Sequence, residues 1–258
     1  MTQSRPLNIP VILGTTRKGR MSEHAARFMV GQIEKRDGVK TELIDISKLP
    51  MPVGDAGDGI KDPAFSEKMA MADALVIVTP EYNHSFPGLL KHILDSCLKE
   101  YIHKAAGIVG VSAGPFGGVR AIQDFLPVIR ELGLVNIFWD VNFGNVSKVF
   151  DESGKLLDEA FVSRADKFLN ELVWMAKTLR YGRDNIALDS KTEDKMATQK
   201  KKMICPKCGD EMNHHADKLV HPVTAEDASR DVNATLGGLI EETHCCPGCG
   251  AVESRRAE

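Results

Sequence analysis

At 258 residues, 43% hydrophobic and 27% charged with a formal net charge of −3, the sequence has the make-up of a globular protein with room for one ordinary domain and a small module. No apolar run reaches bilayer-spanning length, and the balanced charge leaves no polyanion-binding surface on the scale of a nucleic-acid domain. The opening residues lack the apolar core of a signal peptide, which points to the cytoplasm.

Over residues 8–182 short apolar runs alternate with helical patterns. Asn8 to Leu13 reads as a buried strand ending in Gly14. Ser22 is placed to cap a helix whose Ala25, Ala26, Met29, Val30 and Ile33 recur at helical spacing. A strand at Thr41–Ile46 leads into a Pro/Gly-rich loop, Leu49 to Gly59, and a short helix at Pro63–Met71 precedes the strand Ala74–Val78. Then follow a helix Gly88–Tyr101, a strand Gly107–Val111, a helix Val119–Leu132 and a strand Leu134–Trp139. Cys97, alone in the first of these helices, reads as a small buried hydrophobe. A long amphipathic helix on Phe161, Ala165, Phe168, Leu172, Ala176 and Leu179 closes the domain. Apolar strands separated by helices imply a doubly wound, five-stranded parallel sheet between two helical layers. Its ligand belongs at the carboxyl ends of the strands, where the strand order reverses.

Residues 183–203 turn polar and read as a linker, with Lys200-Lys201-Lys202 solvated at its end. Basic and acidic side chains balance at 22 each over residues 1–182, whereas residues 204–258 carry 5 basic and 10 acidic. The expected division is therefore a domain at 1–182, a linker, and a module at 204–258.

Three loops carry chemistry. The first, Gly14-Thr15-Thr16-Arg17-Lys18-Gly19-Arg20-Met21-Ser22, joins strand one to a helix with glycines, hydroxyls and two arginines suited to a monophosphate. The second is Pro80-Glu81-Tyr82-Asn83-His84-Ser85-Phe86-Pro87-Gly88, and the third Ser112-Ala113-Gly114-Pro115-Phe116-Gly117-Gly118-Val119-Arg120. Together and in this order they resemble the NADPH-dependent FMN reductase family, whose fold is flavodoxin-like. The resemblance implies that Thr15, Arg17 and Ser22, with Arg20, hold the FMN phosphate, Thr15 standing for the usual serine. It implies that Pro80, Glu81, Tyr82 and Asn83 border the isoalloxazine, and that Ser112, Gly114, Gly117 and Gly118 close on its edge. It further implies ping-pong transfer from NAD(P)H through FMN to a small acceptor such as a quinone, free flavin, azo dye or metal oxyanion, in a homodimer or homotetramer that meets through helix Gly88–Tyr101. Hydride transfer needs no general base, so Glu81 reads as holding its turn, and no side chain is assigned as catalytic. His84 reads as a satisfied loop histidine, and His24, His92 and His103 as solvated or capping. A non-enzymatic FMN electron carrier or redox sensor is the alternative, which steady-state NADPH oxidation separates.

The module contains Cys205-Pro206-Lys207-Cys208-Gly209 and Cys246-Pro247-Gly248-Cys249-Gly250, with 37 residues between Cys208 and Cys246. Paired Cys-Pro-x-Cys-Gly knuckles signal a tetrahedral four-thiolate site on Cys205, Cys208, Cys246 and Cys249, and resemble a zinc ribbon. His244 and Cys245 are spare donors. Residues 209–245 are expected to form a hairpin or insert with Gly237-Gly238 near its turn. A rubredoxin-like iron site is the rival, but residues 204–258 hold no Phe, Tyr or Trp to pack around it, which favours zinc. The acidic segment disfavours nucleic acid and leaves docking to a protein partner or to the amino-terminal domain itself open for the ribbon.

Overall fold

The computed structural model describes residues 5–52, 60–186, 203–220 and 239–256, with the side chains of 214–220 and 239–240 outside the description. The chain divides into two compact units, Met1–Ile186 and Ala187–Glu258. Within the first, the strands are β1 (Leu7–Asn8), β2 (Val11–Leu13), β3 (Val39–Lys40), β4 (Leu43–Asp45), β5 (Ala74–Pro80), β6 (Ala105–Val111), β7 (Val135–Asn136) and β8 (Val141–Phe143). The helices are α1 (Ser22–Glu34), α2 (Pro63–Met71), α3 (Gly88–Leu94), α4 (Val119–Glu131), α5 (Val146–Val149) and α6 (Ala160–Asn185).

All pairings of these strands are parallel, in the order β4-β2-β5-β6-β7, with β8 beside β6 and β1 beside β3. Taking β1–β2, β3–β4 and β7–β8 as interrupted single strands gives the order 2-1-3-4-5 of flavodoxin-like sheets. The side chains of each strand divide between two cores. Val11, Leu13, Val76, Val78 and Val109 pack under α1 and α6, where Met29 and Phe168 are buried. Ile12, Leu75, Ile77 and Ile108 face α2, α3 and α4, with Phe65, Leu90 and Phe125. Both faces are covered, which is why the strands show apolar runs without polar alternation.

Two strands are longer than expected, β5 running on from Val78 to Pro80 and β6 starting at Ala105 rather than Gly107, and three differ in course. The run Asn8–Leu13 breaks at Ile9-Pro10 because proline has no N–H for the ladder, although the Pro10 carbonyl still accepts from Val76 N. The second strand spans Leu43–Asp45 rather than Thr41–Ile46, since Asp45 accepts from Ser47 N and caps a short 3-10 turn. The fifth does not end at Trp139: β7 stops at Asn136 and the chain re-enters the sheet at Val141–Phe143.

Helix ends also shift. Met21, not Ser22, is the N-cap residue of α1, and no side chain caps it. Helix α3 ends at Leu94 rather than Tyr101, where the Ser96 hydroxyl takes the Ile93 carbonyl at 2.6 Å and the chain continues in three-residue turns. His103 is outside any helix, in the left-handed region at φ 59. Helix α6 runs through Arg183, which the polar composition had assigned to a linker. Arg183 donates to the His103 carbonyl at 2.6 Å and to the fully buried Asp73 carboxylate at 3.2 Å. Arg5 and Asn8 N also donate to Asp73 at 2.9–3.0 Å, fastening both ends of the domain at the amino-terminal edge of the sheet.

The second unit contains β9 (Asn213–Val220), β10 (Leu239–Cys245) and β11 (Val252–Arg256), an antiparallel sheet in the order β11-β10-β9. The hairpin expected across 209–245 is thus present as β9 and β10, while its Gly237-Gly238 turn lies outside the described residues. So do Lys200–Lys202, most of the 183–203 stretch and the glycines of the 49–59 loop.

Candidate functional site

The three loops singled out in sequence follow β2, β5 and β6, so all lie at the carboxyl edge of the sheet. They enclose a cavity of about 300 Å3 lined by Arg17, Ser22, Pro80, Tyr82, Ser112 and Ala113 among others. A wider one of about 570 Å3 adjoins it, sharing Arg17, Glu81 and Tyr82 and adding Thr15, Asn83 and Leu89. Both volumes fall in the range of small-molecule and cofactor sites.

The first loop sorts its polar groups into two kinds. Thr15 is buried and shares a 2.9 Å hydrogen bond between its hydroxyl and that of Tyr82, tying this loop to the next. Arg20 is bound inward, donating to the Thr15 carbonyl at 2.6 Å and to Asp45 at 2.5 Å. Burial opposes ionisation of Asp45, but donors from Ser47 and Arg20 hold its pKa below the usual carboxylate value. Arg20 therefore braces the loop. Arg17 is exposed, and its guanidinium has no hydrogen-bond or ion-pair partner among the described residues. Ser22 is only 2% exposed, and its hydroxyl has no hydrogen-bond partner there either. Ser22 and Arg17 both line the smaller cavity, and a hydroxyl and a guanidinium without partners among the described residues fit an anionic oxygen ligand.

The second loop is a two-residue hairpin turn. Tyr82 and Ser85 exchange backbone hydrogen bonds at 2.8 and 2.9 Å, with Asn83 and His84 both left-handed at φ 50 and 70. Its Ser85 hydroxyl bonds Asp124 on α4. His84 is exposed and lines neither cavity. Glu81 is anchored twice, by its N–H to the Val111 carbonyl at 3.0 Å and by Oε1 accepting from Arg120 at 2.8 Å.

In the third loop Ser112 and Ala113 line the smaller cavity, and the Ser112 hydroxyl donates to the Gly114 carbonyl at 2.8 Å. Gly114, Gly117 and Gly118 line neither cavity. Gly117 and Gly118 are left-handed at φ 62 and 79, and a Cβ on either would come within 2.7 Å of Asn142 or of Val111 N. Close backbone packing against the sheet accounts for them without a ligand. Sequence reading missed Val146, which lines the smaller cavity from the start of α5. Ending the fifth strand at Trp139 kept the loop after β8 out of view.

In the second unit the sulfurs of Cys205, Cys208, Cys246 and Cys249 all lie within 4.8 Å of one another. Three of the separations are 3.3, 3.6 and 3.6 Å. A tetrahedral ion with metal–sulfur bonds of about 2.3 Å needs edges of about 3.8 Å. The two knuckles have equivalent frames. Cys205 N bonds Asp210 O and Gly209 N bonds Cys205 O, just as Cys246 N bonds Ala251 O and Gly250 N bonds Cys246 O, all at 2.8–2.9 Å. Gly209 and Gly250 close them at φ 80 and 70. Burial disfavours the Cys205 thiolate, but N–H groups of Cys208 and Lys207 and the adjacent thiols draw its pKa down to about 7. The spare donors are elsewhere: Cys245 Sγ lies 4.0 Å from the Cys246 carbonyl, and His244 pairs with Glu242 at 3.3 Å. The donor set and spacing fit a zinc ion.

The fold defines a flavodoxin-like α/β protein with a cleft at the carboxyl ends of its strands. The sequence profile of the family described as NADPH-dependent FMN reductase matches residues 7–147, and the chain belongs to this family of oxidoreductases. It is 31% identical to an NAD(P)H-dependent FMN reductase of Pseudomonas aeruginosa, over 66% of this chain and 95% of that protein. It is 29% identical to a quinone reductase of Pseudomonas putida, over 64% of this chain and 94% of the relative. Among solved structures, the flavoenzyme NAD(P)H:acceptor oxidoreductase FerB of Paracoccus denitrificans shares the fold, with a TM-score of 0.57 and 21% identity, covering 67% of this chain and 98% of that one. The cysteine knuckles lie beyond the residues matched by the family profile.

Proposed function

We propose that this protein passes reducing equivalents from NAD(P)H through FMN to a small acceptor of the quinone class, and that its four knuckle cysteines hold one zinc ion. The observation that carries the flavin reading is the pair of residues after β2 that line the same cavity, Ser22 with a buried hydroxyl and Arg17 with a guanidinium, both without a partner among the described residues. Thr15, Arg17 and Ser22 hold the phosphate of FMN in this reading, and Arg20 fixes the loop that presents them. Pro80, Glu81, Tyr82 and Asn83 border the ring, with Ser112 and Gly114 at its edge. Gly117 and Gly118 let that loop lie close to the sheet. Bound FMN supplies the hydride acceptor and electron store, and the protein contributes orientation and electrostatics. The wider cavity beyond Tyr82 gives nicotinamide and acceptor a shared place to dock in turn. Quinone reductases among the relatives support this acceptor class.

A homodimer or homotetramer and a cytoplasmic setting complete the reading; among the described residues no helix is long and apolar enough to cross a membrane. The test is anaerobic reduction of the yellow protein by NADPH and its reoxidation by benzoquinone, with chromatography of the released flavin and metal analysis of the same sample. FMN, bleaching and reoxidation, and one zinc per chain are expected. A protein that binds FAD or no flavin, or that retains iron, overturns the corresponding part.

A further inference from the structure

The four knuckle sulfurs are unequal. Cys205 and Cys246 are 2% and 1% exposed, held in the small core with Met212 and Ala251. Cys208 and Cys249, the second cysteine of each knuckle, are exposed, and their sulfurs lie 3.6 Å apart. The two cysteines that solvent reaches are thus neighbours, one from each knuckle.

The knuckles differ in one more respect. Asp210 and Ala251 occupy equivalent positions, their carbonyls accepting from Cys205 N and Cys246 N. The Asp210 carboxylate lies 3.5 Å from Cys208 Sγ and reaches across to the other knuckle, where a Cβ at Gly248 would come within 2.1 Å of it. An ionised carboxylate has no proton to donate to a metal-bound thiolate. Its charge raises the energy of that sulfur, which makes Cys208 the stronger nucleophile.

We infer that Cys208 and Cys249 form a peroxide-sensitive thiol pair, whose oxidation to a disulfide expels the zinc ion and unfolds the second unit. This deepens the zinc reading and rests on it. In the first step the Cys208 sulfur attacks hydrogen peroxide. An S–O bond forms as the O–O bond breaks, and the departing hydroxide takes a proton and leaves as water. In the second step the Cys249 sulfur attacks Cys208 Sγ. An S–S bond forms as the S–O bond breaks, and this hydroxide also takes a proton and leaves as water. Two electrons pass from the sulfurs to the peroxide, which ends as two waters. Zinc is left with Cys205 and Cys246, half its ligands, and the small core does not hold the unit without it.

The experiment treats zinc-loaded full-length protein with hydrogen peroxide. A colorimetric chelator follows zinc release, peptide mapping finds the disulfide, and amide hydrogen exchange reports on β10 and β11. One zinc ion per chain should be released as a Cys208–Cys249 disulfide forms, with faster exchange in both strands. Dithiothreitol with added zinc should reverse all three changes. Cys97, buried in the first unit, should stay reduced. Cys245→Ala, which removes the spare thiol, should release zinc at the parent rate. Asp210→Asn should still bind zinc but release it about three- to tenfold more slowly, the scale of one like-charge contact near a surface. Zinc retained under excess peroxide overturns the inference, as does release through a disulfide of any other pair. An Asp210→Asn rate equal to the parent's overturns the part given to Asp210. Protein that holds no zinc before peroxide is added overturns the zinc reading beneath, a result distinct from the others.

Discussion

Arg17 and Arg20 stand three positions apart in one loop, yet their surroundings give them different work. Arg20 is held by Asp45 and the Thr15 carbonyl, whereas Arg17 has no such partner among the described residues. Arg17→Ala should weaken FMN binding by about 1–3 kcal/mol, the value of a charge-assisted hydrogen bond, read as the flavin dissociation constant. Arg20→Ala should instead lower the melting temperature of the flavin-free protein. Ser22→Ala separates stability from binding by sign. Its hydroxyl is buried and has no partner among the described residues, so removing it should leave the flavin-free protein equally or more stable while weakening FMN. Thermal melts with and without FMN show both effects in one experiment.

At the level of elements, the β5–α3 turn and the broken edge strand carry local strain and charge. His84 occupies a left-handed position at φ 70 in a turn type that favours glycine there. His84→Gly should stabilise the domain by about 0.5–1 kcal/mol, since relief of left-handed strain exceeds the added freedom of the unfolded chain. Chemical denaturation measures it. Between β7 and β8, burial raises Asp140 to about 6, and its Oδ1 has no hydrogen-bond partner among the described residues. A carboxyl whose folded pKa exceeds its unfolded one binds more protons when folded, so its unfavourable contribution grows as pH rises from about 4 to about 6. Asp140→Asn should therefore be more stable than the parent protein at pH 7, with the difference vanishing below about pH 4. Paired denaturation curves across that range decide it.

For the whole molecule, the two units rest on different forces. Residues up to Ile186 enclose two apolar cores and the Asp73 charge cluster. A fragment of residues 1–186 should fold and bind FMN. The described apolar core of the second unit is small, built on Cys205, Met212, Cys246 and Ala251 with Met203 beside them. Residues 187–258 alone should be unfolded without metal and gain structure with one equivalent of zinc, because a core this small leaves metal binding to supply the folding energy. Circular dichroism of each fragment, titrated with zinc, tests both statements. Loss of NADPH-dependent quinone reduction in a 1–186 fragment that still binds FMN would assign the second unit a part in turnover and reopen the iron reading.

The apolar runs at Asn8–Leu13, Ala74–Val78 and Gly107–Val111, the loops at their carboxyl ends and the Cys-Pro-x-Cys-Gly pair were legible in the sequence by itself. Each is a local signal: strand periodicity, turn chemistry or ligand spacing is written in neighbouring residues. What the tertiary structure decided are partnerships across the chain. Asp45, which accepts from Arg20, lies 25 positions away, and Arg120 meets Glu81 across 39. Cys246 rather than Cys245 already followed from the paired knuckles, and the folded chain adds that the four knuckle sulfurs lie within 4.8 Å of one another. The glycines at 117 and 118 carry the same lesson. Their place in a motif implied ligand contact, but the backbones of Gly110, Val111 and Asn142 leave no room for a Cβ, and that crowding exists only once the loop is laid against the sheet.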